Sequence, residues 1–299
     1  MGEHKSGFVS ILGRTNVGKS SIINALVNEK VAAIANKPQT TRTAIRAIVN
    51  RDNSQIIFID TPGIHKPKTK LGNTMNDTAF GVISDVDVVI FVIEADSKEI
   101  GPGDKRILEK IRNLKRKTIL VINKIDLIKK EELARLIELY KNEYDFEAVI
   151  PVSVVKQKNL EIILNEIERL LPKGPSYYNE EEYTDQTLRQ LTEEIIREKA
   201  LRLLDEEVPH GLYVETEKMK ERKTRDGVQI YDVESIIYCL KNSHKGIIIG
   251  KNGQMLKRIG TYARHDLEKM LDTKVNLKLW VKVKEDWQNN DTIIKKFKV

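Results

Sequence analysis

A glycine-rich loop between an apolar strand and a helix constrains this fold more than any other feature. GRTNVGKSS at residues 13–21 follows the apolar run FVSIL and opens a helical pattern. In Gly-x-x-x-x-Gly-Lys-Ser, the glycines let consecutive backbone N–H groups point at phosphate oxygens, and the helix N-terminus adds a favourable dipole. The segment therefore predicts a phosphate-binding loop at the start of an α/β domain.

The first 174 residues alternate short apolar runs with helical patterns. Because the runs are rich in Val and Ile, they are typical of buried parallel strands with helices on both faces of the sheet. The predicted strands are 8–12, 56–60, 87–93, 118–123 and 148–153, and the predicted helices lie near 19–28, 74–84, 103–114, 131–143 and 158–171. This half of the chain is expected to form a mostly parallel α/β domain.

The remainder of the chain follows a different order. LPKGPSYYNEEEYTD contains two prolines, a glycine and a cluster of acids, so we interpret 175–185 as a linker between domains at 1–174 and 186–299. After the linker come a long helix, two strands, a helix pair around a second glycine loop, and a final strand at 275–283. The order α-β-β-α-α-β predicts an α+β module.

Composition and charge narrow the class of protein. At 299 residues, with 40% hydrophobic and 32% charged residues, the chain is long enough for two globular domains. The one cysteine, Cys239, lies in an apolar run and is interpreted as a buried residue. Neither a signal peptide nor an apolar run long enough for a membrane-spanning helix is visible, which favours a cytoplasmic protein.

The net charge of +7 is concentrated in one stretch. Residues 241–265 contain six Lys and Arg residues and no carboxylate, and this stretch includes the second glycine loop. A basic stretch of this kind predicts an anionic partner.

The first glycine loop supplies the expected phosphate contacts. Lys19 is placed to reach the β and γ phosphates, and the Ser20 hydroxyl is a ligand for Mg²⁺. The expected nucleotide-binding residues of the loop are Gly13, Asn16, Val17, Gly18, Lys19, Ser20 and Ser21.

The segment NKID at residues 123–126 selects the base. Asp126 follows a predicted strand, where its carboxylate can accept hydrogen bonds from the ring N–H and the exocyclic amine of guanine. Adenine has no such pair of donors, so GTP is expected rather than ATP. Asn123 is expected to bond the base and the loop, and the stem of Lys124 to cover the purine. Ser153 and Val154, in PVSVV, are expected to complete the pocket through backbone contacts, although the more usual pair is Ser-Ala.

Two segments between these motifs suit the γ-phosphate and Mg²⁺. DTPG at 60–63 ends a strand, so Asp60 can hold Mg²⁺ through water and the Gly63 N–H can meet the γ-phosphate. KPQTTR at 37–42 supplies Thr41, or as an alternative Thr40, as the hydroxyl that closes on Mg²⁺ when GTP is bound.

GRTNVGKSS, PQTTR, DTPGIHKP, NKID and the later GIIIGKNG together resemble the Era family of GTPases over nearly the whole chain. The resemblance implies GTP hydrolysis with Asn16, Lys19, Thr41 and Gly63 as catalytic groups. It also implies that a hydrophobic residue, here Ile64, replaces the catalytic glutamine after DxxG. Because Ile64 cannot orient a water, the resemblance implies that Asn16 holds a K⁺ ion where other GTPases place an arginine finger, with slow intrinsic turnover.

The second glycine loop, GKNG at 250–253, resembles that of a type II KH domain. Its α-β-β-α-α-β setting, the preceding GIIIG and the basic helix that follows carry this resemblance, which implies that about four single-stranded nucleotides are clamped by the loop. The isoleucines are expected to support the groove and the polar and basic residues to meet phosphates. The candidate RNA-binding residues are Ile247, Ile248, Ile249, Gly250, Lys251, Asn252, Gly253, Lys257, Arg258 and Arg264.

Resemblance to the Era family narrows the RNA to the 3′ region of small-subunit ribosomal RNA during assembly of the ribosomal subunit. Three alternatives stay open from the residues alone: a P-loop kinase of a small metabolite, an RNA-binding adaptor that holds GTP without hydrolysing it, and peripheral contact of the basic face with a membrane. Asn16 could instead cap its own loop, and His65 is a candidate base.

Overall fold

The computed structural model of the chain describes residues 3–35, 37, 40–64, 66–224 and 226–297. The chain divides into two compact units. Met1–Ala32, Thr41–Asp185 and Lys296–Val299 form the first unit, and Ala33–Thr40 and Gln186–Lys295 form the second. Within the described residues, no helix is long and apolar enough to cross a bilayer.

A six-stranded sheet forms the centre of the first unit. Its strands are β1 (Lys5–Leu12), β2 (Ile45–Arg51), β3 (Ser54–Asp60), β4 (Val88–Glu94), β5 (Lys117–Asn123) and β6 (Ala148–Pro151), in the spatial order β2-β3-β1-β4-β5-β6. All neighbouring strands are parallel except β2 and β3. The five predicted strands are confirmed. The edge strand β2 was not predicted; a two-residue turn, Asp52 and Asn53, joins it to β3.

Five helices cover the two faces of this sheet: α1 (Lys19–Val27), α2 (Lys70–Gly81), α3 (Pro102–Leu114), α4 (Lys130–Lys141) and α5 (Leu160–Leu170). Alternate residues of β4 enter two different cores, because successive side chains of a strand point to opposite faces. Val88, Ile90 and Val92 lie in the core with α1 and α5. Val89, Phe91 and Ile93 lie in the core with α2, α3 and α4.

Residues 175–185, predicted to be a linker, pack on β2 and β3 within the first unit. The Ile48 N–H donates to the Tyr183 carbonyl at 2.9 Å. The fully buried Gln55 side chain accepts the backbone N–H groups of Tyr177 (2.7 Å) and Tyr178 (3.0 Å) and donates to the Tyr178 carbonyl (2.8 Å). One buried amide therefore binds the backbone of two consecutive residues of this segment and helps to hold it against the sheet edge.

The second unit has the predicted order α-β-β-α-α-β. Its elements are α6 (Leu188–Leu203), β7 (Tyr213–Lys223), β8 (Gln229–Cys239), α7 (Asn242–Ile249), α8 (Gln254–Leu271), β9 (Lys274–Val283) and a short α9 (Asp291–Ile294). In the sheet, β8 pairs antiparallel with β7 and parallel with β9. Cys239 is buried in the core of this unit, as predicted.

The second unit also includes Ala33–Thr40. Side chains of α6 bind the backbone of this segment. The carboxylate of Glu198, fully buried, accepts the Ile34 N–H at 3.1 Å, and Arg202 Nε donates to the Ile34 carbonyl at 2.8 Å. The buried Arg197 donates to the Thr40 carbonyl. The next residue in the chain is Thr41.

Candidate functional sites

The carboxyl ends of four parallel strands place the nucleotide motifs of the first unit. The loop from Gly13 to Gly18 follows β1, Asp60 ends β3, Asn123 ends β5, and Ser153 follows β6. In open α/β sheets, ligands bind outside these strand ends. The topology therefore gathers segments that are far apart in sequence at one edge of the sheet.

Lys19 is held inside the glycine loop. Its buried ammonium group donates to the carbonyls of Gly13 (3.2 Å) and Arg14 (2.9 Å). Burial lowers the pKa of Lys19 to about 8, an effect that the nearby negative charge of Asp60 opposes. Phosphate oxygens beside this ammonium would favour its charged form.

Nucleotide binding is therefore expected to take up a fraction of a proton near pH 8, because burial lowers the pKa of Lys19 to about 8 and the phosphate oxygens would raise it again. At about pH 6.5 Lys19 is already charged, so its uptake of protons on nucleotide binding should approach zero. The measurement is titration calorimetry with GDP in two buffers that differ in ionisation enthalpy. Lys19→Arg is the comparison, because arginine stays charged at both pH values. No uptake by the parent protein at pH 8 would contradict the assignment.

Three oxygen-bearing side chains form the expected Mg²⁺ site. Ser20 Oγ lies 2.8 Å from Thr41 Oγ1 and 2.7 Å from Asp60 Oδ2, and Thr41 Oγ1 lies 3.1 Å from the same carboxylate oxygen. Hydroxyl and carboxylate oxygens are hard ligands of the kind that Mg²⁺ requires, so the donor set fits. Thr40 points elsewhere: its hydroxyl donates to the carbonyls of Ala35 and Lys37. The geometry therefore favours Thr41 over Thr40 as the threonine ligand of Mg²⁺.

Side chains join NKID, the segment predicted to select the base, to its neighbours. Asn123 Nδ2 donates to the Val17 carbonyl at 3.0 Å, which links β5 to the glycine loop. Lys124 has a positive φ of 65° and forms an ion pair with Glu94 at the end of β4. Glu94 was not among the predicted site residues, although a charged residue directly after a buried strand was a usable signal.

Asp126 receives a hydrogen bond from a side chain that was expected to act through its backbone. Ser153 Oγ donates to Asp126 Oδ1 at 2.5 Å, and this bond holds the pKa of the Asp126 carboxyl below its usual value. The carboxylate is therefore kept ionised and oriented while it remains exposed. Val154 is half-buried against the core that contains α1 and α5.

Asn16, within the glycine loop, and Ile64, which follows DTPG, lie in different environments. Asn16 is exposed and has a left-handed backbone with φ of 68°. Ile64 is buried in the core on the opposite face from α1, and its N–H donates to the Gly13 carbonyl at 3.2 Å. Ile64 therefore cannot orient a water. Gly63 lies against Thr15 of the loop, and Ser21 is half-buried in α1. His65 lies outside the described residues.

The second glycine loop joins α7 to α8, and three of its four residues have a positive φ. Gly250, Asn252 and Gly253 have φ values of 71°, 51° and 76°, and Gly253 begins α8 as its N-cap. The three isoleucines before the loop differ: Ile248 is fully buried, Ile249 half-buried and Ile247 half exposed. The predicted polar and basic contacts are all exposed: Lys251, Asn252, Lys257, Arg258 and Arg264.

Family models match both units. One described as 50S ribosome-binding GTPase matches residues 8–124, and one described as KH domain matches residues 207–288. Curated relatives match nearly the whole chain. GTPase Era of Thermoanaerobacter sp. is 50% identical over 293 residues, which cover 98% of this chain and 96% of that protein. GTPase Era of Clostridioides difficile is 50% identical over 294 residues, 98% of each chain.

Solved structures agree with the sequence matches. A crystal structure of Era in complex with MgGDPNP and nucleotides 1506–1542 of 16S ribosomal RNA has a TM-score of 0.94 at 37% identity, covering 98% of each chain. An Aquifex aeolicus Era variant bound to GDP.AlF4⁻ has a TM-score of 0.93 at 36% identity, again over 98% of each chain. The predicted GTPase fold with a C-terminal KH domain is confirmed. The chain belongs to the Era family of GTPases.

Proposed function

We propose that this GTPase is a switch that binds the 3′ region of small-subunit ribosomal RNA through its KH domain during assembly of the small ribosomal subunit. The support for the RNA is the similar Era structure that holds nucleotides 1506–1542 of 16S ribosomal RNA. The exposed basic residues around the GKNG loop supply the positive charge that an RNA backbone requires.

The proposed coupling between GTP binding and RNA binding is supported by the position of the segment Ala33–Thr40 in the chain. This segment belongs to the KH-containing unit, where Glu198 and Arg202 hold Ile34, yet the next residue is the proposed Mg²⁺ ligand Thr41. Binding of Mg²⁺ by Thr41, or its release, would therefore act on a backbone that α6 fixes. The nucleotide state would therefore change the free energy of the unit that binds RNA.

The test is the affinity of the full chain for the RNA segment equivalent to nucleotides 1506–1542, with MgGDPNP and with MgGDP bound. We expect the two affinities to differ by roughly 5- to 150-fold, the usual range for allosteric coupling. A scrambled RNA of the same length and composition is the control for charge alone. Equal affinity in the two nucleotide states would contradict the switch, and equal affinity for both RNAs would contradict the ribosomal target.

We further propose that hydrolysis is slow and stimulated by K⁺ held by Asn16. Phosphate release over many turnovers should be roughly 10- to 100-fold faster in K⁺ than in Na⁺ of equal concentration, because a positive charge at the transferring phosphoryl group stabilises the transition state. Asn16→Gly should remove the difference, since glycine keeps the positive φ without the amide oxygen. Equal rates in both salts would leave the K⁺ assignment without support, and no release in either would favour the GTP-holding adaptor.

A ribosomal RNA partner implies a cytoplasmic location. Peripheral contact with an anionic membrane stays a prediction from the basic stretch 241–265, and it is separable from RNA binding by sedimentation with anionic vesicles in the absence of RNA.

A further inference from the structure

A fully buried carboxylate lies behind the glycine loop, outside the residues that contact the nucleotide in the proposed site. Asp104, in the first turn of α3, has no exposed surface. It accepts Arg14 Nε, which lies 3.1 Å from Oδ1 and 3.0 Å from Oδ2, and the hydroxyl of Tyr140 at 3.2 Å from Oδ2. Tyr140 is itself fully buried on α4. One carboxylate therefore joins the loop to two helices.

This arrangement is costly for the fold. Burial raises the pKa of Asp104, while the charge of Arg14 and the Tyr140 hydrogen bond oppose that rise. Asp104 is fully buried whereas 36% of the Arg14 side chain is exposed. Even a fully buried ion pair can often be replaced by apolar residues of similar volume without loss of stability, so this pair is weak evidence of a role in stability. A role in fixing the position of Arg14 accounts better for it.

Arg14 is fixed along its whole side chain. Its Nη2 donates to Ser97 Oγ at 3.0 Å, and its aliphatic part runs over Gly103, where an added Cβ would lie 3.0 Å from Arg14 Cδ. Asp104 holds the Nε between these two contacts. The guanidinium therefore has one orientation, set by α3 and by the loop after β4.

The backbone of Arg14 belongs to the phosphate-binding machinery. Its carbonyl accepts the ammonium group of Lys19 at 2.9 Å, and Arg14 forms a bridge with Ile64, whose N–H donates to the Gly13 carbonyl. An anchor on the Arg14 side chain consequently sets the place of the Lys19 ammonium group and of the segment after DTPG.

We propose that Asp104 is a positioning residue for the phosphate loop: through Arg14 it presets the loop backbone and the ammonium group of Lys19 for the nucleotide. The inference rests on the nucleotide site proposed above. A preset loop loses less conformational freedom when the nucleotide binds, so the ordering cost of binding falls. Loss of the anchor should therefore appear as faster nucleotide release.

The test is the release rate of a fluorescent GDP from the full chain, measured for Asp104→Asn, Arg14→Met and the double variant. Each single variant should release GDP about tenfold faster, and the double variant no faster than the worse single variant, because both act through one contact. Glu143→Gln is the matched control: it breaks the ion pair between Arg112 of α3 and Glu143, which follows α4, away from the loop. Its release rate should equal that of the parent.

Two results would overturn the proposal: release within twofold of the parent in a folded Asp104→Asn variant, or single effects that multiply in the double variant. Should Asp104→Asn fail to fold, Arg14→Lys decides, since it keeps a positive charge beside Asp104 but loses the guanidinium's simultaneous contacts with Asp104 and Ser97; unchanged release then overturns the proposal. A parent protein that binds no GDP would instead refute the nucleotide site itself.

Discussion

Asp126→Asn is expected to weaken GTP binding by roughly 10²- to 10⁴-fold and to create a preference for xanthosine triphosphate. The carboxylate would accept two hydrogen bonds from guanine, and hydrogen bonds to a charged group contribute about 1.5–3 kcal/mol each. In asparagine, an NH₂ group replaces one of the two acceptor oxygens. This group would face a guanine N–H and could not accept its hydrogen bond. Xanthine has a carbonyl in place of the exocyclic amine, so the same amide can bond it.

The measurement is competition of GTP, xanthosine triphosphate and ATP against a fluorescent GDP, on parent and variant. Ser153→Ala is the matched control, because it removes the Ser153 Oγ donor to Asp126 and leaves the carboxylate in place. We expect it to weaken GTP binding by roughly tenfold or less without altering base preference. An unchanged preference in Asp126→Asn, or ATP that competes equally with GTP for the parent protein, would show that Asp126 does not read the base.

Gly253→Asp is expected to reduce RNA affinity by roughly 100-fold or more and to leave GTP binding unchanged. A carboxylate would stand where the phosphate backbone of the RNA is expected, and like charges placed together cost several kcal/mol. The fold should tolerate the change. No atom outside the adjacent residues lies within 4 Å of the added Cβ, and Asp accepts the positive φ of this position with less strain than most residues.

Gly227→Asp is a closely matched control. Gly227 also has a positive φ, 79°, with open space around it, but it lies between β7 and β8 rather than beside α8. RNA affinity should change little in this variant. Gly250→Ala tests geometry separately, because its Cβ would come within 2.7 Å of Met255 Cβ. If Gly227→Asp and Gly253→Asp weaken RNA binding equally, the effect is one of net charge and not of the GKNG loop.

Several parts of the site could be predicted because the residues that form them are adjacent in the chain. The loop from Gly13 to Ser20 and the loop from Gly250 to Gly253 each place their own backbone N–H groups through local conformation. Buried strands were equally visible, since six of the seven residues of β4 are buried and apolar. The edge strand β2 was missed because its run of residues is interrupted by Arg and Asn and lacks a strong apolar pattern.

Contacts between residues far apart in sequence could not be predicted. Arg14 and Asp104 are 90 positions apart, and Ile34 and Glu198 are 164 apart. In the sequence, Gln55 is an ordinary polar residue of a strand. Its hydrogen bonds to Tyr177 and Tyr178 are visible only in the structure. Ser153 was expected at the base pocket, but its hydroxyl bond to Asp126 depends on how β5 and β6 are aligned.

The sequence by itself determined the chemistry of each loop, because a glycine, a lysine or an aspartate at fixed local spacing can meet a ligand in only a few ways. Only the tertiary structure decided which residues hold those loops in place. A buried carboxylate such as Asp104 or Glu198 must find its partners wherever the packed chain brings them. That pairing depends on the alignment of whole strands and helices, which local spacing does not encode.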